Sequence, residues 1–420
     1  MRNYTIPFWV IFWAIGLSAC QSQQQEQKSL QPEEGKWRGV LKLNQEQSLP
    51  FNFDIEASGE EGFKMALVNA EERLVMDEII KEQDSLRIVM HIFDAELKVK
   101  LEEGEMKGRW IKHNYKGGEY DMPFEAKFNE NYRFTKETEK PKADLSGIWA
   151  VNFLTENGEP EKAVGMFAQS NNSISGTFLT VTGDYRYLEG EIEGDQLWLS
   201  CFDGEHAFLF NATINDDQTL TDGNFWSGKH WHQQWEAKKD PEAMLPDASS
   251  LTFLKEGYDK IEFEFLNLSK ELVSLNDERY KGKVVIVQLL GTWCPNCMDE
   301  TAFLAPFYKK HKEEGLEVIG LAFERSAEFD EAAKRVQKMK ERMGVAYEVL
   351  IAGTNDKEEA AKKLPMLNQV LAFPTTIFID RKGEVRKIHT GFSGPGTGKY
   401  YQQLTEDMKL FVDKLLREEI

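Results

Sequence analysis

The stretch Gly291-Thr292-Trp293-Cys294-Pro295-Asn296-Cys297 decides the fold of the C-terminal part of the chain. An apolar run at 284–290 (VVIVQLL) precedes it, and a helical pattern follows it. A strand that ends at a Cys-x-x-Cys pair, with the cysteines opening a helix, is typical of a site that exchanges disulfides. The helix N-terminus favours the Cys294 thiolate, because its backbone N–H groups and its dipole stabilise a negative charge. The thiolate is the form that attacks a disulfide.

A second motif, Phe373-Pro374-Thr375-Thr376, opens another buried strand further along the chain. A proline at the head of a strand beside the cysteines is the expected place for a cis X–Pro bond, with a trans bond as the alternative. A cis bond would leave the backbone of the preceding residue free to pair with an extended substrate. Zinc binding is another use of Cys-x-x-Cys, but it needs a second pair of ligands. This part of the sequence has no other cysteine and no suitable histidine cluster, so we predict no metal.

The sequence around both motifs alternates between strand and helix patterns. Strands are predicted at residues 261–265, 284–290, 316–323, 346–351, 375–379 and 384–389, and helices at 297–312, 327–343, 356–371 and 398–418. Pro306 is expected to be able to kink the first of these helices. This order predicts an α/β domain with a mixed sheet flanked by helices.

Residues 35–240 show short alternating runs separated by turn signals, which is typical of β-structure. Gly35-Lys36-Trp37 is echoed by Gly147-Ile148-Trp149, and Phe124-Glu125-Ala126-Lys127 is echoed by Trp235-Glu236-Ala237-Lys238. The repeat predicts two consecutive antiparallel β units, each a barrel or a sandwich. Their aromatic side chains are predicted to form the core, and a groove for carbohydrate or peptide is the alternative.

Two features within the β units invite a chemical interpretation. Cys201 follows an apolar strand pattern and is predicted to be a buried free thiol, because unpaired cysteine behaves as a small hydrophobe. His230-Trp231-His232 places two imidazoles at a spacing that puts them on one face of a strand. Without a third ligand, an exposed or hydrogen-bonded pair is favoured over a metal site.

The N-terminus has the pattern of a targeting segment. Arg2 supplies positive charge, and the apolar stretch 6–17 (IPFWVIFWAIGL) is too short to span a membrane comfortably. Leu17-Ser18-Ala19-Cys20 resembles the lipobox of bacterial lipoproteins. That resemblance implies cleavage before Cys20 and a lipid anchor on it, with a plain secretory signal as the alternative. The glutamine-rich stretch 21–31 is predicted to be a flexible tether.

Composition limits the class of partner. The 420 residues are enough for two or three domains, and a hydrophobic content of 41% indicates folded ones. The formal net charge of -20 argues against nucleic acid as a partner, because no basic stripe is available to neutralise phosphates. Solubility is the ordinary reason for such a charge.

Four segments, specific in their order and spacing, carry a family resemblance: Lys281-Gly282-Lys283-Val284, the motif 292–297, Gly315-Leu316-Glu317-Val318-Ile319-Gly320 and 373–380 (FPTTIFID). In these segments the chain resembles the thioredoxin-like proteins, and more closely the TlpA/ResA-like branch of membrane-tethered bacterial thiol-disulfide oxidoreductases. The resemblance covers about residues 250–420 and does not extend to the β units. The predicted organisation is therefore multi-domain: a signal peptide at 1–19, a tether at 20–34, β units at 35–137 and 144–240, and a thioredoxin-like domain at 250–420.

The resemblance implies a role for each motif residue. Cys294 would be the attacking thiol and Cys297 the thiol that resolves the mixed disulfide, so that their redox-active disulfide takes the place of a cofactor. Pro374 would be the cis proline, Phe373 and Thr375 would contact substrate, and Trp293 would shield the site. Many thioredoxins carry a buried aspartate six residues before the first cysteine, where this chain has Gln288, which cannot titrate. Glu324, after the next strand, is our candidate for the missing acid, and a surface loop carboxylate is the alternative.

The resemblance also implies partners and a location. It favours a reductant that acts on apocytochromes or other extracytoplasmic protein thiols and disulfides, and that a membrane electron donor keeps reduced. The chain would then be a membrane-anchored lipoprotein that faces the periplasm or lies at the cell surface. One alternative is a peroxiredoxin-like peroxidase, which shares the fold. Another is a surface lipoprotein that binds glycan or peptide and carries an accessory redox domain.

Overall fold

The computed structural model describes residues 31–59, 62–115, 118–136, 139–155 and 159–419, together with Met1. Within these ranges the chain forms three β-sheets and four α-helices. The predicted lipobox, with Cys20, lies outside the described residues. Among the helices that are described, we find none long and apolar enough to cross a membrane.

The first sheet is antiparallel and follows the first half of the repeat. Its nine strands in the described part of the chain are β1 (Gly35–Lys42), β2 (Ser48–Ser58), β3 (Gly62–Asn69), β4 (Glu72–Met76), β5 (Ile79–Lys81), β6 (Leu86–Val89), β7 (Ala95–Glu102), β8 (Glu105–Tyr115) and β9 (Gly118–Phe128). They are ordered β4-β3-β2-β1-β9-β8-β7-β6-β5. The two edge strands are consecutive in the chain and only a short turn joins them, so the sheet curls back on itself like a barrel.

The second sheet is a closed barrel. Its strands in the described ranges are β10 (Gly147–Leu154), β11 (Pro160–Ser170), β12 (Ser173–Thr180), β13 (Gly183–Asp184), β14 (Leu188–Glu193), β15 (Gln196–Phe202), β16 (Ala207–Ile214), β17 (Thr219–Ser227) and β18 (Trp231–Lys239). They are ordered β11-β10-β18-β17-β16-β15-β14-β12-β13, and an additional pairing of β11 with β12 closes the ring. Closure removes the edges that a sandwich would leave exposed.

The two β units repeat local geometry as well as sequence. Gly35 and Gly147 adopt φ angles of 125° and 126°, a region that side chains rarely enter. Two residues later in each unit, a buried tryptophan donates its indole N–H to a carbonyl oxygen four residues earlier: Trp37 to Glu33 and Trp149 to Leu145, each at 2.9 Å. Trp37 and Trp149 therefore serve as core residues, as predicted for aromatic residues in these strands.

The C-terminal sheet is mixed. Its strands are β19 (Glu264–Asn267), β20 (Leu272–Ser274), β21 (Val284–Leu290), β22 (Leu316–Glu324), β23 (Glu348–Thr354), β24 (Thr375–Ile379) and β25 (Val385–Thr390), and its helices are α1 (Pro295–His311), α2 (Phe329–Met343), α3 (Lys357–Lys363) and α4 (Lys399–Arg417). The strand order is β20-β19-β23-β22-β21-β24-β25. β21 runs parallel to β22 and antiparallel to β24. All of its residues are buried, as expected for a central strand covered on both faces.

Most predicted elements shift by a few residues in the structure, and two of these shifts are instructive. The strand predicted at 261–265 begins only at Glu264, and the helix predicted at 356–371 ends at Lys363. Pro365 explains the early end of that helix, because a proline lacks the backbone donor and disfavours helical geometry in the residue before it. Pro306, by contrast, lies inside α1 without ending it.

Adjacent residues on β10 provide a test of the barrel core. Phe153 is buried against the rings of Phe178, Phe225 and Trp235, whereas the side chain of Leu154 is 45% exposed. Phe153→Ala should lower the free energy of unfolding by about 3–5 kcal/mol, because it leaves a cavity in the core. Leu154→Ala, the matched control, should cost less than about 1 kcal/mol. Urea unfolding of both variants measures the difference, and equal costs would contradict a barrel core centred on Phe153.

Candidate active site

The cysteine pair lies at the junction between β21 and α1. Cys294 is the N-cap residue of α1, and Pro295, which has no N–H to satisfy, occupies the first helical position. Cys294 and Cys297 form a disulfide, with their Cα atoms 5.2 Å apart. The backbone N–H of Cys297 points at Cys294 Sγ at 3.2 Å. In the reduced state this N–H and the helix dipole would stabilise a Cys294 thiolate.

The second predicted motif lies directly against the disulfide. The Phe373–Pro374 peptide bond is cis, and the carbonyl oxygen of Phe373 lies 3.4 Å from Cys294 Sγ. Thr375 is fully buried, and its hydroxyl donates to the carbonyl oxygen of Ala372 at 2.8 Å. The structure thus brings Phe373 and Pro374 to the sulfur, while the Thr375 side chain is bound inside the turn that carries them.

Trp293 packs across the site. Its indole N–H donates to the carbonyl oxygen of Phe323 at 2.8 Å, and its ring meets the Phe373 ring edge-on with centroids 5.8 Å apart. Gly291 makes this placement possible, because a Cβ atom there would lie 2.2 Å from Trp293 Nε1. The indole is therefore fixed between the ends of β22 and the Phe373–Pro374 turn.

Glu324 is the last residue of β22 and is buried, so the alternative of a surface loop carboxylate is wrong. Its two oxygens accept the backbone N–H and the hydroxyl of Thr292, at 2.8 and 2.7 Å. Burial raises the pKa of Glu324, although the hydrogen bonds from Thr292 oppose the shift. Glu324 thus holds the loop that precedes Cys294, and its role in proton transfer stays a prediction.

The remaining sequence-predicted residues lie elsewhere. Cys201 is a buried free thiol in β15, as predicted. His230 belongs to the turn before β18 and packs edge-on against Tyr120, so the prediction of two imidazoles on one strand face is wrong. His232 lies within β18, with Nε2 2.9 Å from Asn224 Oδ1.

Comparison with known proteins finds similarity in the C-terminal part of the chain. The Redoxin family matches residues 243–404. Thiol-disulfide oxidoreductase ResA of Halalkalibacterium halodurans is 29% identical over 37% of this chain and 76% of its own length. ResA of Geobacillus kaustophilus is 30% identical over 27% of this chain, but the match spans only 57% of that protein. A solved structure, a putative protein disulfide isomerase from Bacteroides thetaiotaomicron, aligns at a TM-score of 0.30 with 20% identity, over 40% of this chain and 93% of its own.

A fourth relative decides the family. Thioredoxin-like protein YneN of Bacillus subtilis is 31% identical over 33% of this chain and 73% of its own length. The chain belongs to the thioredoxin-like family, in its TlpA/ResA-like branch. This confirms the predicted α/β thioredoxin-like fold and thiol-disulfide oxidoreductase activity for the C-terminal domain.

The thioredoxin-like domain holds a second buried carboxylate that the sequence reasoning missed. Glu300 lies one helical turn after Cys297 and is fully buried. One oxygen accepts the Gln288 side-chain amide at 2.8 Å, and the other accepts the Thr376 hydroxyl at 2.5 Å. The same Gln288 amide lies 3.4 Å from the carbonyl oxygen of Cys297. Gln288 therefore connects a titratable group to the backbone of the second cysteine.

The sequence carried a signal for Glu300. In α1 the buried stripe runs through Cys297, Glu300 and Leu304, at the spacing that places residues on one helix face. A carboxylate on a stripe that is otherwise apolar is expected to be buried and paired. Our interpretation looked for the missing acid after the next strand, and so overlooked the acid on the helix itself.

Burial raises the pKa of Glu300 from 4.5 to about 7, although its bonds to Thr376 and Gln288 oppose the shift. The folded protein then keeps a proton that the unfolded chain releases near pH 4.5. Because the native state binds more protons between these values, the free energy of unfolding should fall as the pH rises from about 4.5 to about 7. Glu300→Gln should flatten this decline and, at about pH 8, should stabilise the protein by up to roughly 3 kcal/mol.

Urea titrations of the wild type and Glu300→Gln across this pH range measure the effect. Glu313→Gln, which changes an exposed carboxylate just after α1, is the matched control and should follow the wild type. Parallel pH curves for the wild type and Glu300→Gln would show that Glu300 titrates normally in the folded protein.

Proposed function

We propose that this chain is a membrane-tethered, extracytoplasmic thiol-disulfide oxidoreductase that reduces protein disulfides through Cys294 and Cys297. The observation that carries the proposal is the position of Cys294 Sγ, between the Cys297 N–H at the start of α1 and the Phe373 carbonyl of the cis-proline turn. The first contact stabilises a thiolate, and the second lies where an extended substrate backbone would pair. The names of the ResA relatives support the same chemistry.

The reaction transfers two electrons and two protons. The Cys294 thiolate attacks one sulfur of the substrate disulfide, the substrate S–S bond breaks, and one substrate thiolate leaves and takes a proton. Cys297 then loses its proton and attacks Cys294 Sγ in the mixed disulfide. The second substrate thiolate leaves, and the substrate is released as a dithiol while the Cys294–Cys297 disulfide forms.

We propose Glu300 as the group that handles the Cys297 proton. It is the buried carboxyl that Gln288 links to the Cys297 carbonyl, and a pKa near 7 suits a group that must both accept and donate a proton. Glu324 remains the second candidate, since its burial also raises its pKa. Its bonds go to Thr292, however, so it acts more directly on the position of the loop.

Direction and partners rest on the family resemblance. The resemblance to the membrane-tethered TlpA/ResA-like branch favours a role as a reductant. In this role the protein takes electrons from a membrane donor and passes them to extracytoplasmic proteins such as apocytochromes. The reduction potential of the Cys294–Cys297 pair tests this direction. A value near that of thioredoxin supports a reductant, and a value near that of DsbA supports an oxidant.

Replacement of the second cysteine should trap the reaction. Cys297→Ser is expected to accumulate a mixed disulfide between Cys294 and a protein substrate, because no second thiol is left to resolve it. Non-reducing gels and mass spectrometry after incubation with insulin measure the adduct. Cys201→Ala, which removes the buried free thiol, should turn over like the wild type. Fast consumption of peroxide with no reaction on insulin would favour the peroxidase alternative.

The lipobox pattern supports the proposed signal peptide 1–19 and a tether that starts at a lipidated Cys20. In a bacterial host, the mature wild-type protein should carry the lipid mass on its N-terminal peptide and should sediment with membranes. Cys20→Ala should lose the lipid, because the acceptor sulfur is gone. Mass spectrometry of the purified N-terminal peptide is the measurement. An unmodified wild-type N-terminus would instead indicate a plain secretory signal.

A further inference from the structure

The disulfide and the cis-proline turn beside it are largely buried. Only 5% of the surface of Cys294 and 7% of that of Phe373 is exposed, and Pro374 is buried as well. These residues are the ones that an incoming substrate chain must reach. Residues 181–187 (VTGDYRY) of the second β unit, which we call the cover segment, lie against Asn296 of the cysteine motif and against the loop after β25.

Asp184 of the cover segment binds the active-site motif directly. Its Oδ2 accepts the side-chain amide of Asn296, which lies between the two cysteines, at 3.2 Å. The same oxygen accepts the backbone N–H of Gly394, in the loop after β25, at 2.5 Å. One carboxylate therefore joins the cover segment to the cysteine motif and to the loop after β25.

Close backbone approach shows that the fit is tight. A Cβ atom on Gly183 would lie 2.9 Å from Asn296 Nδ2, and one on Gly391 would lie 3.1 Å from the Val181 carbonyl oxygen. A Cβ atom on Gly396 would lie 3.1 Å from the backbone of Arg186. These distances leave no room for a substrate chain between the cover segment and the thioredoxin-like domain.

Arg186 anchors the cover segment. Its Nη1 donates to Asp299 Oδ2 at 2.5 Å, and Asp299 lies in α1, two residues after Cys297. Its Nη2 bonds Glu72 of the first β unit, and its Nε lies 3.6 Å from Asp203 Oδ2 of the second unit. Arg186 is only 7% exposed. One buried cation thus ties both β units to the helix that carries the redox cysteines.

We propose that the cover segment is an autoinhibitory lid, and that a protein disulfide reaches Cys294 only after the β units swing away and break the Arg186–Asp299 pair. This inference rests on the proposed function, in which the substrate is a protein. Arg186 is a positioning residue in this scheme: it does not touch the reacting sulfurs, but it sets the fraction of molecules in which the site is open.

The two β units would move as one body. Ser200 of the second unit donates its hydroxyl to the Pro50 carbonyl of the first at 2.6 Å, and the rings of Phe51 and Phe202 pack with centroids 4.5 Å apart. These contacts are buried. Separation between the two units would expose this apolar surface, which favours movement of both units together.

The boundary with the thioredoxin-like domain is rich in charge. Ion pairs join the first β unit to α2: Asp77 with Arg342, Glu78 with Lys338 and Asp94 with Arg335. Among the described residues, the main apolar core of the second barrel forms a cluster of its own, whereas the core of the first β unit is continuous with that of the thioredoxin-like domain. Polar boundaries between domains of one chain open more readily than apolar ones, and the irregular segment 241–247 offers a hinge.

The test compares a large disulfide with a small one, using the full chain. Pre-reduced protein is mixed with insulin or with the small aromatic disulfide DTNB, and the two second-order rate constants are measured. Arg186→Met should raise the insulin rate by at least about tenfold, because it removes the cation that holds the closed state. The DTNB rate should rise less, since a small disulfide needs a smaller opening. Loss of the Arg186 cation would by itself disfavour the Cys294 thiolate and slow the reaction with both disulfides. A rise in the insulin rate would therefore not come from the change in charge.

Arg386→Met is the matched control. Arg386 lies on the edge strand β25 and forms ion pairs with Asp380 and Glu418. Its loss should leave the ratio of the two rates unchanged. Gly396→Ala is a second test that keeps Arg186. Its added methyl group presses on the Arg186 backbone and should raise the insulin rate in the same direction, even where Arg186→Met folds poorly. Near-UV circular dichroism checks the fold of each variant.

The outcomes distinguish a failure of the lid proposal from a failure of the proposed function. An insulin rate that rises in Arg186→Met or Gly396→Ala and not in Arg386→Met supports the lid. Insulin reduction at the wild-type rate in both test variants overturns the lid and leaves the proposed function intact. Rapid reaction with DTNB but none with insulin in any folded variant overturns the protein substrate itself.

Discussion

The burial of β21 on both faces is the constraint on which the active site depends. A strand surrounded by β22, β24 and covering helices has no freedom to shift, so the residue that ends it is delivered to one place. That place is the N-terminus of α1, beside the cis-proline turn at the head of β24. β24 pairs with β21 in register, and this pairing places the Phe373 carbonyl oxygen beside Cys294 Sγ.

Two buried carboxylates lie near the disulfide, and they accept hydrogen bonds from different residues. Glu324 receives the N–H and hydroxyl of Thr292 and so orders the loop before the first cysteine. Glu300 receives Gln288 and Thr376 from two neighbouring strands, beneath the second cysteine. A glutamine in the place of the usual aspartate is then intelligible: Gln288 donates to a carboxylate, which an ionised aspartate could not do. In the mechanism that we propose, the titratable group therefore lies on the helix and not on the strand.

Unlike a passive tether, the β units bind the thioredoxin-like domain through charged side chains. Their cores are rich in aromatic residues, and the core of the first unit is continuous with that of the thioredoxin-like domain. Charged side chains of the units also reach α1, α2 and the loop after β22. Glu205 illustrates this: buried at the edge of the second barrel, it binds Lys112 of the first unit and Arg325 of the thioredoxin-like domain. Arg325 in turn lies over the ring of Trp293. Ionic contacts of this kind connect the position of the β units to the residues around the disulfide.

The sequence alone determined the features that depend on local pattern: the Cys-x-x-Cys pair at a helix start, the proline at a strand head, the alternation of strands and helices after residue 250, and the repeat of two β units. These follow from side-chain period and from the backbone rules of proline and glycine, which act over a few residues. Only the tertiary structure decided that β11 pairs with β12 to close a barrel, that Glu300 meets Gln288 and Thr376, and that Arg186 lies beside Asp299. Such contacts join residues far apart in the chain, and burial makes them strong only after the elements have packed. No local pattern carries that information, because each partner by itself looks like an ordinary polar residue on a strand, helix or turn.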